Sequence, residues 1–333
     1  MGKITKIPFF FFCLRRLCIH PTFGRNMPRL LITGGSGFIG AHVANKAVSC
    51  GWEVVVLDLQ PPPVNFHLEI EFVKGDIRDH NTVEGIMQDC EAVVHLAAQI
   101  SVPESFTNPE KTRSINVEGT QNILEASHKY DVSKVVIASS AAVYGSTSSF
   151  PLEEEMAGDC ISPYAKSKWE NEIQVDQFRK LGLNSIALRF FNVYGPGQSV
   201  ENAYASVIPK FLHLMAHGQV PTIYGNGKQT RDFIHVDDIV NAIMKLLDAE
   251  HPFGHSVVNV CTEIEHSILD LTNIIEKGLN KRKEDTNYFF EEAREGDIVR
   301  SCGSNVRLRS MISWKPEKRF ESSVLELINE YSR

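Results

Sequence analysis

The chain has 333 residues, enough for one large α/β domain or for two domains sharing an interface. Lys and Arg number 34 against 41 Asp and Glu, a net charge of −7, which argues against a general binder of nucleic acid or of a membrane surface. Seven scattered cysteines with no C-x-x-C pair argue against a disulfide framework or a zinc site; no metal is expected, and a reducing, cytoplasmic compartment fits best.

In chain order, the first signal is an apolar run at residues 7–14 behind Lys3 and Lys6. It resembles a signal-peptide core but runs into Arg15 and Arg16 with no small-residue cleavage site. A spanning helix needs roughly 20 apolar residues, so no stable membrane insertion is expected. Met27 stands directly before the first strand, and residues 1–26 read as a disordered or artefactual extension, with targeting or anchoring as the alternative.

From residue 29 onward, short β-branched runs alternate with helical stretches. The runs fall at 30–33, 53–58, 70–73, 92–96, 134–138 and 185–190. Near-continuous apolar runs separated by helices indicate strands buried on both faces of a parallel sheet. The fold class is therefore α/β, a doubly wound Rossmann sheet over residues 27–190 that binds ligands beyond the carboxyl ends of its strands. After Phe190, glycines and prolines break the rhythm, and residues 191–231 and 256–333 read as a smaller substrate-holding lobe. A helix at 236–248 is expected to rejoin the large domain, in a return spanning 232–255.

The first run enters a glycine-rich turn. Gly35, Gly37 and Gly40 match G-x-G-x-x-G, and Gly34, Gly37 and Gly40 equally match G-x-x-G-x-x-G. Such glycines permit a tight turn, close approach to a pyrophosphate and packing of the following helix, whose N-terminus faces the phosphates. Asp58 ends the second run, 18 residues after Gly40. A carboxylate there accepts both ribose hydroxyls and repels a 2′-phosphate, which favours NAD over NADP.

Further on, Ser162-Pro163 introduces a helix on which Tyr164 and Lys168 fall at i and i+4. A free tyrosine has a pKa near 10 and is a poor base at neutral pH. An ammonium about 4 Å away, at an effective dielectric near 20, contributes on the order of 4 kcal/mol, roughly three pK units. The positive nicotinamide ring pushes the same way, so Tyr164 is expected to act as a base toward an alcohol in the oxidised complex. Ser139 and Ser140 close the fifth run on the ligand-binding rim, where Ser140 can hydrogen-bond both the phenol and a substrate hydroxyl.

These motifs carry a resemblance. Together with Gly75-Asp76-Ile77, His95-Leu-Ala-Ala98, Asn116-Val-Glu-Gly-Thr120, Ser139-Ser-Ala-Ala-Val-Tyr-Gly145, Arg189-Phe-Phe-Asn-Val-Tyr-Gly-Pro196 and Arg231-Asp-Phe-Ile-His-Val-Asp-Asp238, the chain is similar to extended short-chain dehydrogenases/reductases of the NAD-dependent epimerase/dehydratase family. The similarity runs from about residue 28 to the end. It implies that Gly34, Gly37, Phe38, Ile39, Gly40, Asp58 and Asn116 bind NAD along with Tyr164 and Lys168, that Asp76 and Ile77 flank the adenine, and that Ala97 and Ala98 line the groove. It also implies a nucleotide-sugar substrate contacted by Ser140, Asn192, Ser206, Val207 and Ser301, with Arg231, Arg294 and Asp297 on phosphates and ribose. Arginine suits a diphosphate because its planar fork binds the oxygens bidentately. A homodimer through a four-helix bundle is implied as well.

By the same resemblance, 4,6-dehydratases and decarboxylating members carry an acid just before Val-Tyr-Gly, where this chain has Ala142. Without that proton carrier, simple 4-epimerisation is the expected reaction, and the segment resembles those of UDP-glucose and UDP-hexosamine 4-epimerases. Ser301 stands where members that exclude an N-acetyl group have a bulky residue, so N-acetylhexosamines are expected to fit. Asn305 and Cys261 depart from the usual Asp and Gly. The alternatives are another epimerase or a 4-ketoreductase acting on a GDP- or dTDP-sugar, and a non-catalytic NAD-binding sensor or scaffold.

Overall fold

The computed structural model describes residues 27–200, 206–280, 288–293 and 298–331; residues 1–26, with their apolar run, lie outside the described residues. In order, the large domain begins with β1 (Arg29–Thr33), α1 (Phe38–Ser49), β2 (Glu53–Asp58), β3 (Glu71–Lys74), α2 (His80–Met87) and β4 (Cys90–His95). It continues with α3 (Val102–Thr107), α4 (Pro109–Arg113), α5 (Gly119–Lys129), β5 (Lys134–Ser140), α6 (Pro163–Lys180) and β6 (Ser185–Phe190). Then come β7 (Asn192–Tyr194), α7 (Val207–Ala216), β8 (Thr222–Tyr224), β9 (Thr230–His235), α8 (Val236–Leu247) and β10 (Val257–Val260). The last elements are β11 (Glu265–Ser267), α9 (Ile268–Gly278), β12 (Phe289–Glu291), α10 (Val306–Met311) and α11 (Phe320–Tyr331).

Seven parallel strands form the main sheet in the order β3-β2-β1-β4-β5-β6-β10. The strand order reverses between β1 and β4, which opens a crevice at their carboxyl ends. Because side chains alternate across a strand, each apolar run feeds two cores. Leu30, Ile32, Val54 and Val56 join one, and Leu31, Val55 and Leu57 join the other.

Helix α8 packs on α1, and its Ile239 and Ile243 belong to the first core. The return goes further than the sequence pattern indicates. β10 pairs with β6 in register Val257↔Ala187 to Val260↔Phe190, so residues beyond 255 are part of the large sheet. Leu308 and Trp314 pack on the same core. A four-residue strand paired across a long insertion carries little local signal. The smaller lobe has its own core, built from α7, α9 and α11 around Phe211, Leu271, Ile275 and Val324.

His95 fastens the site end of β4 to its neighbours. Its Nδ1 lies 2.6 Å from the Thr33 hydroxyl and its Nε2 2.9 Å from the Thr120 hydroxyl. Thr120 already donates to the Asn116 carbonyl, so Nε2 donates to Thr120, and Nδ1 accepts from Thr33. Burial, aided by the Lys168 charge, pushes the imidazole down to about 3. Between about pH 6.5 and 3 the unfolded chain therefore holds a proton that the folded chain refuses. This group alone makes stability fall on acidification, by about 1.4 kcal/mol per pH unit. Burial pushes Asp232 up to about 6, which gives an opposite slope in wild type and variant alike. The stability gap between wild type and His95→Gln is thus expected to narrow from pH 7 to pH 5, as read by urea denaturation. A constant gap would contradict the neutral, buried imidazole.

Candidate active site

Between β1 and α1 the chain makes a turn that tolerates no side chain at two places. Gly34 has φ +70°, and a Cβ there would lie 2.6 Å from the Ala97 nitrogen. At Gly40 a Cβ would lie 2.2 Å from the Gly34 carbonyl oxygen and 2.6 Å from the Gly35 Cα. The first turn of α1 therefore rests directly on the glycine backbone, with Gly37 as its N-cap and no side chain bonded across it. This leaves the helix N-terminus open toward the crevice, the arrangement that receives a pyrophosphate.

The crevice is a cleft of about 680 Å³. Gly34, Gly37, Phe38, Ile39, Gly40, Asp58, Asp76 and Ile77 line one part of it. Ala97, Ala98, Ser140, Tyr164 and Lys168 line the remainder, so the structure brings all these sequence-predicted residues to one site. Asp58 accepts the Ser36 and Gln60 amides at 3.0 Å each, one on each carboxylate oxygen. Each oxygen keeps a lone pair for a hydroxyl. Asp76 is held by the Arg78 guanidinium at 2.6 Å, whose hydrogen bond lowers its carboxyl below the usual range. The bare glycine cradle, the open helix N-terminus and the carboxylate at the end of β2 fit a dinucleotide.

Asn116 is placed differently. It is buried and does not line the cleft; its side chain accepts the Gln99 amide at 2.8 Å and donates to the Gln99 carbonyl at 3.0 Å and to Ser167 at 2.9 Å. It sits in a widened helical turn, Ser114–Glu118, and acts on the cleft through Gln99.

Tyr164 and Lys168 stand one turn apart near the start of α6, which Ser162 caps by accepting the Ala165 amide at 3.0 Å. The Lys168 ammonium donates to the Ala138 carbonyl at 2.9 Å, and burial pulls its pKa down to about 8, opposed by Glu172. Ser140 accepts the Ala142 amide at 3.2 Å and hydrogen-bonds the Tyr164 phenol. The expected lowering of the phenol by Lys168 is not found in the protein itself. Burial raises Tyr164, and only the Ser140 hydroxyl opposes it. The lysine is turned to a backbone carbonyl, and desolvation dominates the phenol.

The sequence-predicted sugar-side residues gather in part. The Asn192 amide donates to the Asp232 carbonyl at 3.3 Å, the Ser301 amide donates to the Thr230 carbonyl at 3.1 Å, and half-buried Arg231 lies between those two carbonyls on β9. Ser206 and Val207 open α7, and Arg294 and Asp297 lie outside the described residues. Among the described residues no cluster of His, Cys, Asp and Glu could hold a metal ion, and no helix is long and apolar enough to cross a membrane.

One pair went unassigned in the sequence. Arg189, one residue from the carboxyl end of the buried strand β6, makes a two-pronged ion pair with Glu172 on α6, at 2.8 and 2.7 Å. The signal was present: a charge inside an apolar run must be paired, and Glu172 follows Lys168 by one helical turn.

A family model described as NAD dependent epimerase/dehydratase family matches residues 30–261. A putative UDP-glucose 4-epimerase of Methanocaldococcus jannaschii is 36% identical over 305 residues, 90% of this chain and 97% of that protein. The solved UDP-N-acetylglucosamine 4-epimerase of Methanobrevibacter ruminantium, in complex with UDP-N-acetylmuramic acid, superposes with a TM-score of 0.85 at 33% identity, covering 92% of this chain and 98% of that one. The UDP-glucose 4-epimerase of Thermus thermophilus, solved with NAD, gives a TM-score of 0.80 at 30% identity over 91% and 98% of the two chains. A UDP-N-acetyl-alpha-D-glucosaminuronate decarboxylase of Bacillus cytotoxicus and a dTDP-D-glucose 4,6-dehydratase of Mus musculus also match, at 30% and 27% identity. With its glycine cradle, its Ser-Tyr-Lys constellation and these likenesses, the chain belongs to the NAD dependent epimerase/dehydratase family, and it is an NAD-dependent enzyme.

Proposed function

We propose that the enzyme inverts C4 of a UDP-linked hexose, glucose to galactose, and accepts the N-acetylated pair as well. The observation that carries this reading is the distribution of acids around the cleft. Among the described residues that line it, the carboxylates are Asp58, Asp76 and Glu104. Each is engaged elsewhere: Asp58 with the glycine turn, Asp76 with Arg78, and Glu104 with Lys111 at 2.8 Å. Beside Ser140 stands Ala142, which offers only its amide. A dehydratase or decarboxylase needs an acid there to move a ring proton; a 4-epimerase does not.

In this reading Ser140 holds the 4-hydroxyl against the Tyr164 oxygen, and Tyr164 takes its proton as the C4–H bond breaks. NAD, when bound, supplies the hydride acceptor and donor and, in its oxidised form, a positive charge close to the phenol. Lys168 stays charged below about pH 8, which favours the tyrosinate. Arg231 with Arg294 and Asp297 keeps the diphosphate in place while the flat 4-keto ring turns over. Tyr164 then returns its proton to the C4 oxygen as the hydride supplied by the cofactor would return to the opposite face of C4. The small, buried Ser301 leaves room for an N-acetyl group.

Incubating the purified protein with UDP-, GDP- and dTDP-sugars, with no NAD added, tests this. UDP-galactose and UDP-N-acetylgalactosamine are each expected to give their C4 epimers. A dehydrated or decarboxylated product, or turnover confined to GDP- or dTDP-sugars, would overturn the reading. No activity on UDP-N-acetylgalactosamine would remove the N-acetyl part alone.

A further inference from the structure

We propose that Glu172 is a positioning residue for this site: its buried carboxylate orients the Ser139–Ser140 strand end and serves as counter-charge to the Lys168 ammonium. The inference rests on the reaction read above for its kinetic arm only. Glu172 lies on α6, one turn beyond Lys168, and is 7% exposed. Its Oε1 accepts the Ser139 hydroxyl at 2.5 Å, which fixes the residue next to Ser140 at the end of β5. Both of its oxygens are held by Arg189, which is 1% exposed. A buried carboxylate without such a partner would take up a proton; paired with arginine it keeps its charge.

The guanidinium is itself held at all three nitrogens. Its remaining donor group reaches the Tyr144 hydroxyl at 2.9 Å and the Glu154 carbonyl at 2.7 Å. Tyr144 donates to Asn259 at 2.7 Å, and Asn259 donates to the Leu152 and Ser304 carbonyls. The pair is therefore locked from β6 and β10 and cannot swing away from α6.

Against the Lys168 ammonium stand few other groups. From β4 comes His95, which is neutral; from β5 comes the uncharged Ala138 carbonyl; from α6 itself come Tyr164 and Glu172. Glu172 is thus the negative charge that opposes desolvation of the lysine among the described residues. The Cys160 thiol also feels that charge and is raised by it, after burial.

The test follows the lysine directly, by 13C NMR of labelled lysine Cε with Lys168→Met for assignment, in Glu172→Gln and in Glu172→Met/Arg189→Met. The double variant removes both charges and keeps an apolar filling, a replacement that buried ion pairs often tolerate. The Lys168 titration midpoint is expected to fall by about one pH unit or more in Glu172→Gln and by less in the double variant, which also loses the Arg189 charge, and the alkaline limb of the turnover profile to move with it. An unmoved midpoint in a folded variant overturns the counter-charge role, whatever the substrate. A moved midpoint in a protein that turns over no nucleotide sugar leaves Glu172 its role and defeats the proposed reaction instead. Ser139→Ala, which spares the ion pair, is expected to lower kcat about tenfold or more with KM unchanged; an unchanged kcat would overturn the orienting role.

Discussion

Tyr164→Phe is expected to lower kcat for nucleotide-sugar epimerisation by roughly 10²–10⁴-fold, the range that a positioned acid–base group contributes. The substitution removes one oxygen and leaves the ring, the helix and the Lys168–Ala138 hydrogen bond in place. NAD content, read by denaturing the purified protein and assaying the released cofactor, should be unchanged, which separates a chemical defect from a binding one. Full activity in the variant would mean that the proton leaves by another group, and the role given to Ser140 would fall with it. The direction of the phenol's shift sharpens the test. Because burial raises Tyr164 in the protein alone, the residue is protonated at neutral pH there. A titration of the free enzyme should show no tyrosinate near pH 7.

Gly40→Ala is the second large effect. Its methyl group would sit 2.2 Å from the Gly34 oxygen, a backbone atom that cannot turn aside as a side chain could. Helix α1 must therefore lift from the glycine turn or the turn must open. Overpacking of this kind costs about 1–3 kcal/mol, occasionally more. The displaced helix N-terminus should also lose its hold on the pyrophosphate, so the variant is expected to purify with little NAD and to melt earlier. Gly85→Ala is the control. Gly85 lies within α2 with nothing within 4 Å of a Cβ, and alanine there should be neutral or stabilise by up to about 1 kcal/mol. Equal losses from both substitutions would show that the cradle is not as tight as described.

Much of this was legible in the sequence for a physical reason: strands buried on both faces must be apolar along their whole length. The runs at 53–58 and 185–190 became β2 and β6 with the same limits, and β5 extends to Ser140 because the two serines continue its ladder beside β6. The glycine turn and the Tyr-Lys spacing are local patterns, and local patterns survive folding. What was not legible depends on partners far along the chain. β10 is four residues of unremarkable composition until β6 is beside it. The phenol's upward shift in the protein alone follows from burial, which spacing cannot supply; the lowering expected from Lys168 and the nicotinamide charge belongs to the oxidised complex. Asn116 reads as a cofactor residue in its motif, yet both bonds to Gln99 make it a clamp on the loop after β4.

The late return of β10 bears on how the polypeptide is made. β6 ends at Phe190 and its outer neighbour begins only at Val257, so the ribosome delivers much of the smaller lobe before the seventh strand emerges. Throughout that interval one rim of the nascent sheet presents unpaired amides and carbonyls, the surface on which strands of other chains can add. Capture of β10 covers the six-residue edge of β6 and leaves the four-residue β10 as the outermost strand, a shorter edge. A polypeptide released before Val257 keeps every glycine of the cleft together with Ser140, Tyr164 and Lys168, and still carries the longer strand β6 as its adhesive edge.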